Sequence, residues 1–395
     1  MREARIIVAD VMTGLAQLPS GSVHCVVTSP PYWGLRSYLP DGHPLKRYEI
    51  GSEPTLAEYL AKLVMVFREV RRVLRNDGTL WLNVGDAYAS GSDGWREGSG
   101  KVEGRGANRN GCKIPETLKP KDLIGMPWRL AFALQADGWW LRADNIWHKI
   151  NPMPESVTDR PTKSHEYVFL LARSARYYYD TEAVREAAEY GASQEVGAKI
   201  WNRCGVDTEP GHVAGAVTIP GDGGSRNLRS VWTIPTHPYP EAHFATYPPR
   251  LVEPCVKAGT SERGCCLKCG RPWRRILRRF RKATRPAETG KVIDARADGD
   301  GGALHVGNRD PERHVTETVT VGWGPVCACG VDAAPCTVLD PFSGAGTTGL
   351  VALRLGRNYV GIELNPEYAA MSRKRLAGDA TLLNSVEVVG YAHEN

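Results

Sequence analysis

The stretch Val23-His24-Cys25-Val26-Val27-Thr28-Ser29-Pro30-Pro31-Tyr32 runs apolar and then stops at hydroxyls, two prolines and an aromatic ring. Proline fixes φ and has no N–H, so the Pro30 carbonyl stands as a rigid acceptor, with Pro31 stiffening the turn behind it. Ser29 Oγ is a second acceptor and Tyr32 offers a flat face. Together these groups form a receptor for a planar amine. The exocyclic amine of cytosine or adenine is a poor nucleophile, because its lone pair is delocalised into the ring. Two acceptors on its hydrogens draw it toward tetrahedral geometry and free that lone pair. A sulfonium methyl, as in S-adenosylmethionine (SAM), is electrophilic enough that no strong base is required first. The site then supplies orientation and stabilises developing charge. A base in a duplex must leave the stack to reach such a pocket, where an aromatic platform can receive it.

A second constellation lies near the other end of the chain. The apolar run Thr337-Val338-Leu339 ends in Asp340, and Pro341-Phe342-Ser343-Gly344-Ala345-Gly346-Thr347-Thr348-Gly349 turns tightly into a helix expected over 347–355. Gly344, Gly346 and Gly349 form a G-x-G-x-x-G, whose glycines permit positive φ and close approach of a ligand to backbone. The next apolar run ends in Glu363, about twenty residues beyond the first glycine, where a carboxylate can accept both ribose hydroxyls. Taken alone, this unit fits a dinucleotide and SAM equally well.

Strands must present both loops. Residues 1–28 read strand, acidic turn at Asp10, short helix, strand. Residues 55–75 carry apolar side chains at helical spacing (Leu56, Leu60, Leu63, Val64, Phe67, Val70, Leu74); Asn76-Asp77-Gly78 is expected to stop that helix before a strand from Thr79. This is the rhythm of a parallel sheet. Residues 89–113 are glycine-rich, charged and aperiodic, and read as a loop, either merely solvated or contacting DNA. A helix near 122–136 and a strand around 139–148 follow, then a proline-rich loop and two strands joined by Arg173-Ser174-Ala175-Arg176. From 181 to 230 the pattern weakens, as in an inserted segment.

Bulk numbers set the class. The 395 residues, 42% apolar, suit one large α/β domain with insertions, or two domains. A net charge of +6 is that of an ordinary soluble protein; it is compatible with a polyanionic partner without showing one. No signal peptide and no membrane-length apolar run is present, so the expected location is cytoplasmic, with no membrane partner. Ten cysteines in a reducing compartment favour metal ligation over disulfides. Cys266-x-x-Cys269-Gly and Cys327-x-Cys329-Gly resemble two metal knuckles of a structural zinc ribbon, with Cys265 and Cys336 as alternative ligands and a hairpin needed to bring the pairs together. Four cysteines leave no open coordination position for catalysis. Between the knuckles, residues 271–285 hold seven arginines and a lysine, either a solvated face or a phosphate-contacting one.

The Thr28-to-Tyr32 and Asp340-to-Gly349 motifs together resemble the catalytic and cofactor motifs of DNA amino-methyltransferases, which act on cytosine N4 or adenine N6. With S-P-P-Y first and the glycine loop last, the order resembles their permuted β class. The resemblance implies a Rossmann-like α/β fold, a mainly parallel twisted sheet with helices on both faces and a small zinc-ribbon-like insertion. It implies SAM as cofactor and DNA as substrate, and allows a homodimer and a cognate restriction endonuclease as partners. Catalytic residues carried over are Ser29, Pro30, Pro31 and Tyr32. Those for the cofactor are Asp10, Asp340, Pro341, Phe342, Ser343, Gly344, Gly346, Thr347, Thr348, Glu363 and Asn365. Trp33, Trp147, Lys149 and Asn151 match the target-base pocket. The implied organisation is a catalytic half over 1–180, target recognition over 181–230, a SAM-binding half over 231–264 and 337–395, and the ribbon over 265–336. Ser29 in the first motif position resembles the cytosine-N4 group, where Asp or Asn would resemble the adenine-N6 group. Rival expectations are adenine-N6 transfer, an NAD dehydrogenase, and a zinc-ribbon DNA-binding protein without activity.

Overall fold

Short runs rich in Val, Ile and Leu with no polar alternation become strands covered on both faces. In the computed structural model this holds at the centre of the sheet, where every residue of Val23–Thr28 is buried. The structure describes residues 2–34, 37–89, 117–187, 225–237, 246–283, 314–379 and 384–390. Most of the 89–113 loop and of the 181–230 segment therefore lies outside the described residues.

The chain divides into two units. The larger holds Met1–Val184, Arg229–Arg274 and Pro325–Asn395; the smaller holds Arg185–Leu228 and Arg275–Gly324. The four knuckle cysteines thus fall in the larger unit, and of the expected ribbon over 265–336 Arg275–Gly324 falls in the smaller one.

The strands of the larger unit's main sheet are β1 (Arg2–Val8), β2 (Val23–Thr28), β3 (Leu74–Val84), β4 (Trp140–His148), β5 (His165–Ala172), β6 (Val231–Thr233), β7 (Thr337–Asp340), β8 (Asn358–Glu363) and β9 (Asn384–Val389). Their order is β9-β1-β8-β7-β2-β3-β5-β4-β6. Among the described residues β5 alone runs against the rest, antiparallel to both β3 and β4. Helices α1 (Val11–Ala16), α2 (Leu56–Val73) and α3 (Met126–Ala136) pack side by side, and α4 (Pro249–Gly259), α5 (Thr347–Arg354) and α6 (Pro366–Gly378) form a second group.

Helix α2 illustrates the local logic. Thr55 Oγ1 accepts from Glu58 N at 3.2 Å while the Glu58 carboxylate accepts from Thr55 N at 3.1 Å, a reciprocal cap on two otherwise unpaired donors. Its buried stripe is Leu56, Tyr59, Leu63, Val66, Phe67, Val70 and Val73. Leu60 and Val64, expected in the stripe, pack only partly buried at its edge. The expected stop at Asn76-Asp77-Gly78 comes earlier, since α2 ends at Val73 and passes directly into β3. The register between β2 and β3 jumps from Val23↔Leu74 to Cys25↔Thr79, so Arg75–Gly78 bulge out of the strand. Only one strand forms around Arg173-Ser174-Ala175-Arg176: after β5 the chain bends back without a second, and Tyr178 N donates to Asp77 O at 2.8 Å.

In the smaller unit, Glu186–Ala187 pairs antiparallel with Ser225–Arg226, and strands Arg274–Ala283 and His314–Gly324 form a two-stranded sheet. Arg275 lies 4.4 Å from the centre of the Trp323 ring. Arg278, Arg279, Leu277 and Phe280 are exposed. Among the described residues no helix is long and apolar enough to cross a membrane.

Candidate active site

Strands β2 and β7 are parallel neighbours, Val338 opposite Cys25 and Leu339 opposite Val26. Their C-terminal ends therefore open side by side, one into Ser29-Pro30-Pro31-Tyr32 and the other into the glycine loop. Ligand crevices of open α/β sheets form at such ends. One buried carboxylate joins the two loops. Asp340, 0% exposed, accepts from Thr28 Oγ1 at 2.7 Å and Phe342 N at 3.1 Å on one oxygen; on the other it accepts from Tyr247 OH at 2.8 Å and Thr348 Oγ1 at 2.9 Å. Burial pushes its carboxyl up, against the pull of these four donors.

A cavity of about 750 Å³ spans both loops. Of the residues expected at the cofactor, Pro341, Phe342, Ser343, Gly344, Thr347, Glu363 and Asn365 line it. Asp10, Asp340, Gly346 and Thr348 do not. Asp10 instead caps α1, accepting from Met12 N and Thr13 N at 3.1 Å each, while its neighbours Ala9 and Val11 face the cavity. Gly344 and Gly346 hold positive φ of 51° and 71°. A Cβ on Gly346 would stand 2.2 Å from Ser372 Oγ, so this glycine lets α6 approach and is not part of the wall. Glu363 ends β8 and accepts from Gly344 N at 2.7 Å and Asn365 N at 2.9 Å. Burial pushes its carboxyl up to about 7, with those two N–H groups opposing. Asn365 caps α6 through Glu367 N and donates to Tyr38 O at 3.0 Å.

This end of the cavity fits the adenosine part of SAM. A carboxylate carries about four lone-pair sites, and backbone N–H groups leave part of the Glu363 set for a ribose diol. Val11, Phe342 and Ile362 supply apolar walls, and Gly344 presents backbone with no side chain in the way.

The other end holds the S-P-P-Y residues, all four on the cavity wall. Tyr59 OH donates to the Pro31 carbonyl at 2.7 Å, so α2 holds the turn from behind. Among the described residues no donor reaches the Pro30 carbonyl. Ser29 Oγ donates toward Tyr32 OH at 3.5 Å, and Tyr32 OH donates to Glu166 Oε2 at 3.0 Å. That direction leaves the Ser29 oxygen lone pairs free to accept. Burial, then the Glu166 charge, pushes the Tyr32 phenol well above its ordinary range, so it stays a donor. Gly85 makes room for this ring, because a Cβ there would lie 2.8 Å from Tyr32 Cε2.

Glu166 is the centre of this end. It accepts from Tyr32 OH, from Asn83 Nδ2 at 3.1 Å and from the Lys149 ammonium. Lys149 also lies 4.5 Å from the centre of the Trp147 ring. Trp147, Lys149 and Asn151 all line the cavity; Trp147 Nε1 donates to Ile234 O at 2.8 Å, and Asn151 Oδ1 accepts from Thr236 N at 2.9 Å. Trp33 turns away, donating to Glu53 O at 2.8 Å, and is not on the wall. Glu166, Asn83 and Tyr247 were not singled out from sequence. Asn83 carried a signal, a polar residue inside an otherwise apolar strand; Glu166 and Tyr247 carried none without knowledge of the strand pairing.

A separate cluster joins the knuckles. The sulfurs of Cys266, Cys269, Cys327 and Cys329 lie within 4.8 Å of one another. Each pair is followed by a glycine of positive φ, Gly270 at 69° and Gly330 at 65°, which turns the backbone around the sulfurs. Cys265–Cys266 pairs antiparallel with Ala333–Ala334. Cys265 and Cys336 fall in a different group with His24, whose ring is already committed: Nδ1 accepts from Thr337 N at 3.1 Å and Nε2 lies 2.9 Å from the Gly270 carbonyl. A four-thiolate set of this kind fits a tetrahedral zinc ion.

The N6/N4 family model described as DNA methylase matches residues 23–267 and 336–374. Type II methyltransferase M.Cfr9I of Citrobacter freundii is 39% identical over 378 residues, covering 96% of this chain and 89% of that protein. Type II methyltransferase M.SmaI of Serratia marcescens is 39% identical over 376 residues, covering 95% and 91%. Among solved structures, PvuII DNA methyltransferase (cytosine-N4-specific) aligns over 94% of this chain and 85% of that one at 14% identity, with a TM-score of 0.49, too distant to argue from. The family match over most of the chain, and the near full-length relatives, place the chain in the N6/N4 DNA methylase family.

Proposed function

We propose that this DNA methyltransferase acts on the exocyclic N4 of cytosine. The observation that carries the proposal is the ordered row Ser29, Tyr32, Glu166. Ser29 donates its hydrogen to Tyr32 and Tyr32 donates to Glu166, so Ser29 keeps its lone pairs for an incoming amine. A neutral hydroxyl in that motif position resembles the cytosine-N4 group. The relatives' designation as type II methyltransferases supports a companion restriction endonuclease as a partner.

The bound cofactor supplies an electrophilic methyl on a sulfonium. Glu363 and the Gly344 backbone hold its adenosine end, and Asp340 sets the distance between that end and Ser29. Ser29 Oγ and the Pro30 carbonyl accept the two amine hydrogens and localise the nitrogen lone pair. Transfer of that methyl to the nitrogen, with the sulfur leaving as a neutral thioether, would place positive charge on nitrogen, and the same two oxygens would stabilise it. The methylated nitrogen then loses one proton to solvent, directly or through Ser29 Oγ, which gives up its own hydrogen as it accepts. Tyr32 lies against the extruded base, its hydroxyl fixed by Glu166.

We assign a structural zinc ion to Cys266, Cys269, Cys327 and Cys329. The exposed arginines of strand Arg274–Ala283 are suited to DNA phosphates, where they would position the enzyme without reading sequence. Residues 181–230 are proposed to carry target recognition.

Three outcomes follow. Nucleosides from DNA treated with the enzyme and SAM, resolved by mass spectrometry, should contain N4-methylcytosine; N6-methyladenine alone would reverse the base assignment. SAM affinity should depend on Glu363 ionisation, because only the carboxylate accepts both ribose hydroxyls. With the free-protein carboxyl at about 7, calorimetry should find affinity constant well above that pH. It should weaken toward about tenfold per pH unit well below. Glu363→Gln should bind more weakly and without that dependence, and a flat profile in the wild type would remove Glu363 from the ribose. Replacing Cys266 and Cys269 by Ser should take bound zinc from one per chain to none and lower the melting temperature. A wild-type preparation free of zinc by elemental analysis would refute the assignment.

A further inference from the structure

Phosphate attraction accounts for the arginines of strand Arg274–Ala283 but not for what stands between them. The strand holds five arginines, a lysine and no acid, yet large apolar side chains sit among the cations. Ile276 is 51% exposed and Phe280 44%. A surface built for phosphates alone has no use for them, because an apolar group gains nothing from a phosphate oxygen.

Side chains alternate along a strand, so Arg274, Ile276, Arg278 and Phe280 share one face, and Arg275, Leu277 and Arg279 the other. A Cβ on Gly322 or Gly324 would meet Ile276 Cδ1 at 3.8 and 3.6 Å. The partner strand therefore offers only glycines beside Ile276 and leaves it standing clear. On the other face Arg275 is occupied by the Trp323 ring, 4.4 Å from its centre. Arg274 and Arg278 are exposed, and among the described residues no carboxylate pairs with either.

The floor of a DNA major groove matches such a face. The groove admits a two-stranded ribbon, and its base edges include guanine O6 and N7, which an arginine fork takes together, and pyrimidine C5 positions, which take apolar contact. Cations drawn to the polyanion and the apolar groups between them are then both used. A second copy of this chain would instead bring a like-charged face against the arginines, which is unfavourable.

We infer that the face bearing Arg274, Ile276, Arg278 and Phe280 lies in the major groove of the substrate duplex and reads base pairs beside the target. Arg278 donates to a guanine, and Ile276 and Phe280 rest on pyrimidine C5 edges. Arg279, on the opposite face, is left for phosphates. The inference rests on the reading above that this strand meets DNA; it adds base recognition, at a second place besides residues 181–230.

The test uses the full-length enzyme and duplexes carrying its mapped methylation site, or that site with one base pair exchanged at a time outside the target. kcat/KM is measured on each, with SAM Kd and melting temperature as folding controls. Arg278→Ala should lower kcat/KM on the mapped site by about five- to a hundredfold and abolish discrimination at one G·C pair, leaving the other positions discriminated as before. Arg279→Ala should lower it by one common factor on every duplex and flatten the salt dependence of DNA Kd. If Arg278→Ala fails to bind SAM, Arg278→Gln tests the same loss. An equal loss on all duplexes from the Arg278 variant would mean that it meets only phosphate; that overturns base reading and keeps the contact with DNA. Unchanged DNA Kd and kcat/KM in both the Arg278 and the Arg279 variants would remove the strand from DNA altogether, and both readings with it.

Discussion

Everything in the site depends on a buried carboxylate held by neutral donors. Among the described residues no cation pairs with Asp340; it is kept in place by the hydroxyls of Thr28, Tyr247 and Thr348 and the N–H of Phe342. An unsatisfied charge at this depth would cost several kcal/mol, and hydrogen bonds to an ionised group contribute about 1.5–3 kcal/mol each. The four donors must therefore be present together. Two of them are the last residue of β2, one step before Ser29, and the first turn of α5, directly after the glycine loop. Satisfying the charge thus fixes Ser29 relative to the glycine loop, although Thr28 and Asp340 are 312 positions apart in the chain.

The rest of the fold makes that separation manageable. A parallel sheet brings the ends of β2 and β7 to one edge, and its helices brace both loops from outside. Tyr59 of α2 holds Pro31, and Asn365 at the start of α6 anchors the segment around Tyr38. The second carboxylate, Glu166, does for the S-P-P-Y end what Asp340 does for the junction. It comes from β5, which runs against its neighbours and so delivers its first residues, rather than its last, to the crevice.

The difference between these two carboxylates also explains how much could be read from sequence. The S-P-P-Y turn and the glycine loop are local: their chemistry follows from residue types within ten positions, and their neighbours Glu363 and Asn365 follow at fixed spacing. Asp340, Gly346, Thr348 and Asp10 were legible as residue types in the right place. Their inward orientation, toward loop junctions, α6 and a helix cap, was not, because it is decided by which strand lies alongside. Glu166 looks like any acid at a strand start until β3 and β4 are paired around it. The knuckle cysteines were legible from Cys-Gly spacing, and their convergence on one point depends on folding across more than fifty residues. Target recognition over 181–230 was expected from the resemblance to the β class, and that stretch lies mostly outside the described residues.

The direct measurement of the central claim is a double-mutant cycle on Thr28→Val and Asp340→Asn, read as kcat/KM for methyl transfer together with SAM Kd. If one carboxylate locks both loops, each single change lowers kcat/KM and the pair is non-additive, with a coupling of about 0.5–3 kcal/mol. Strictly additive losses, or Asp340→Asn with full turnover, would mean that the two loops are positioned independently and would contradict the account.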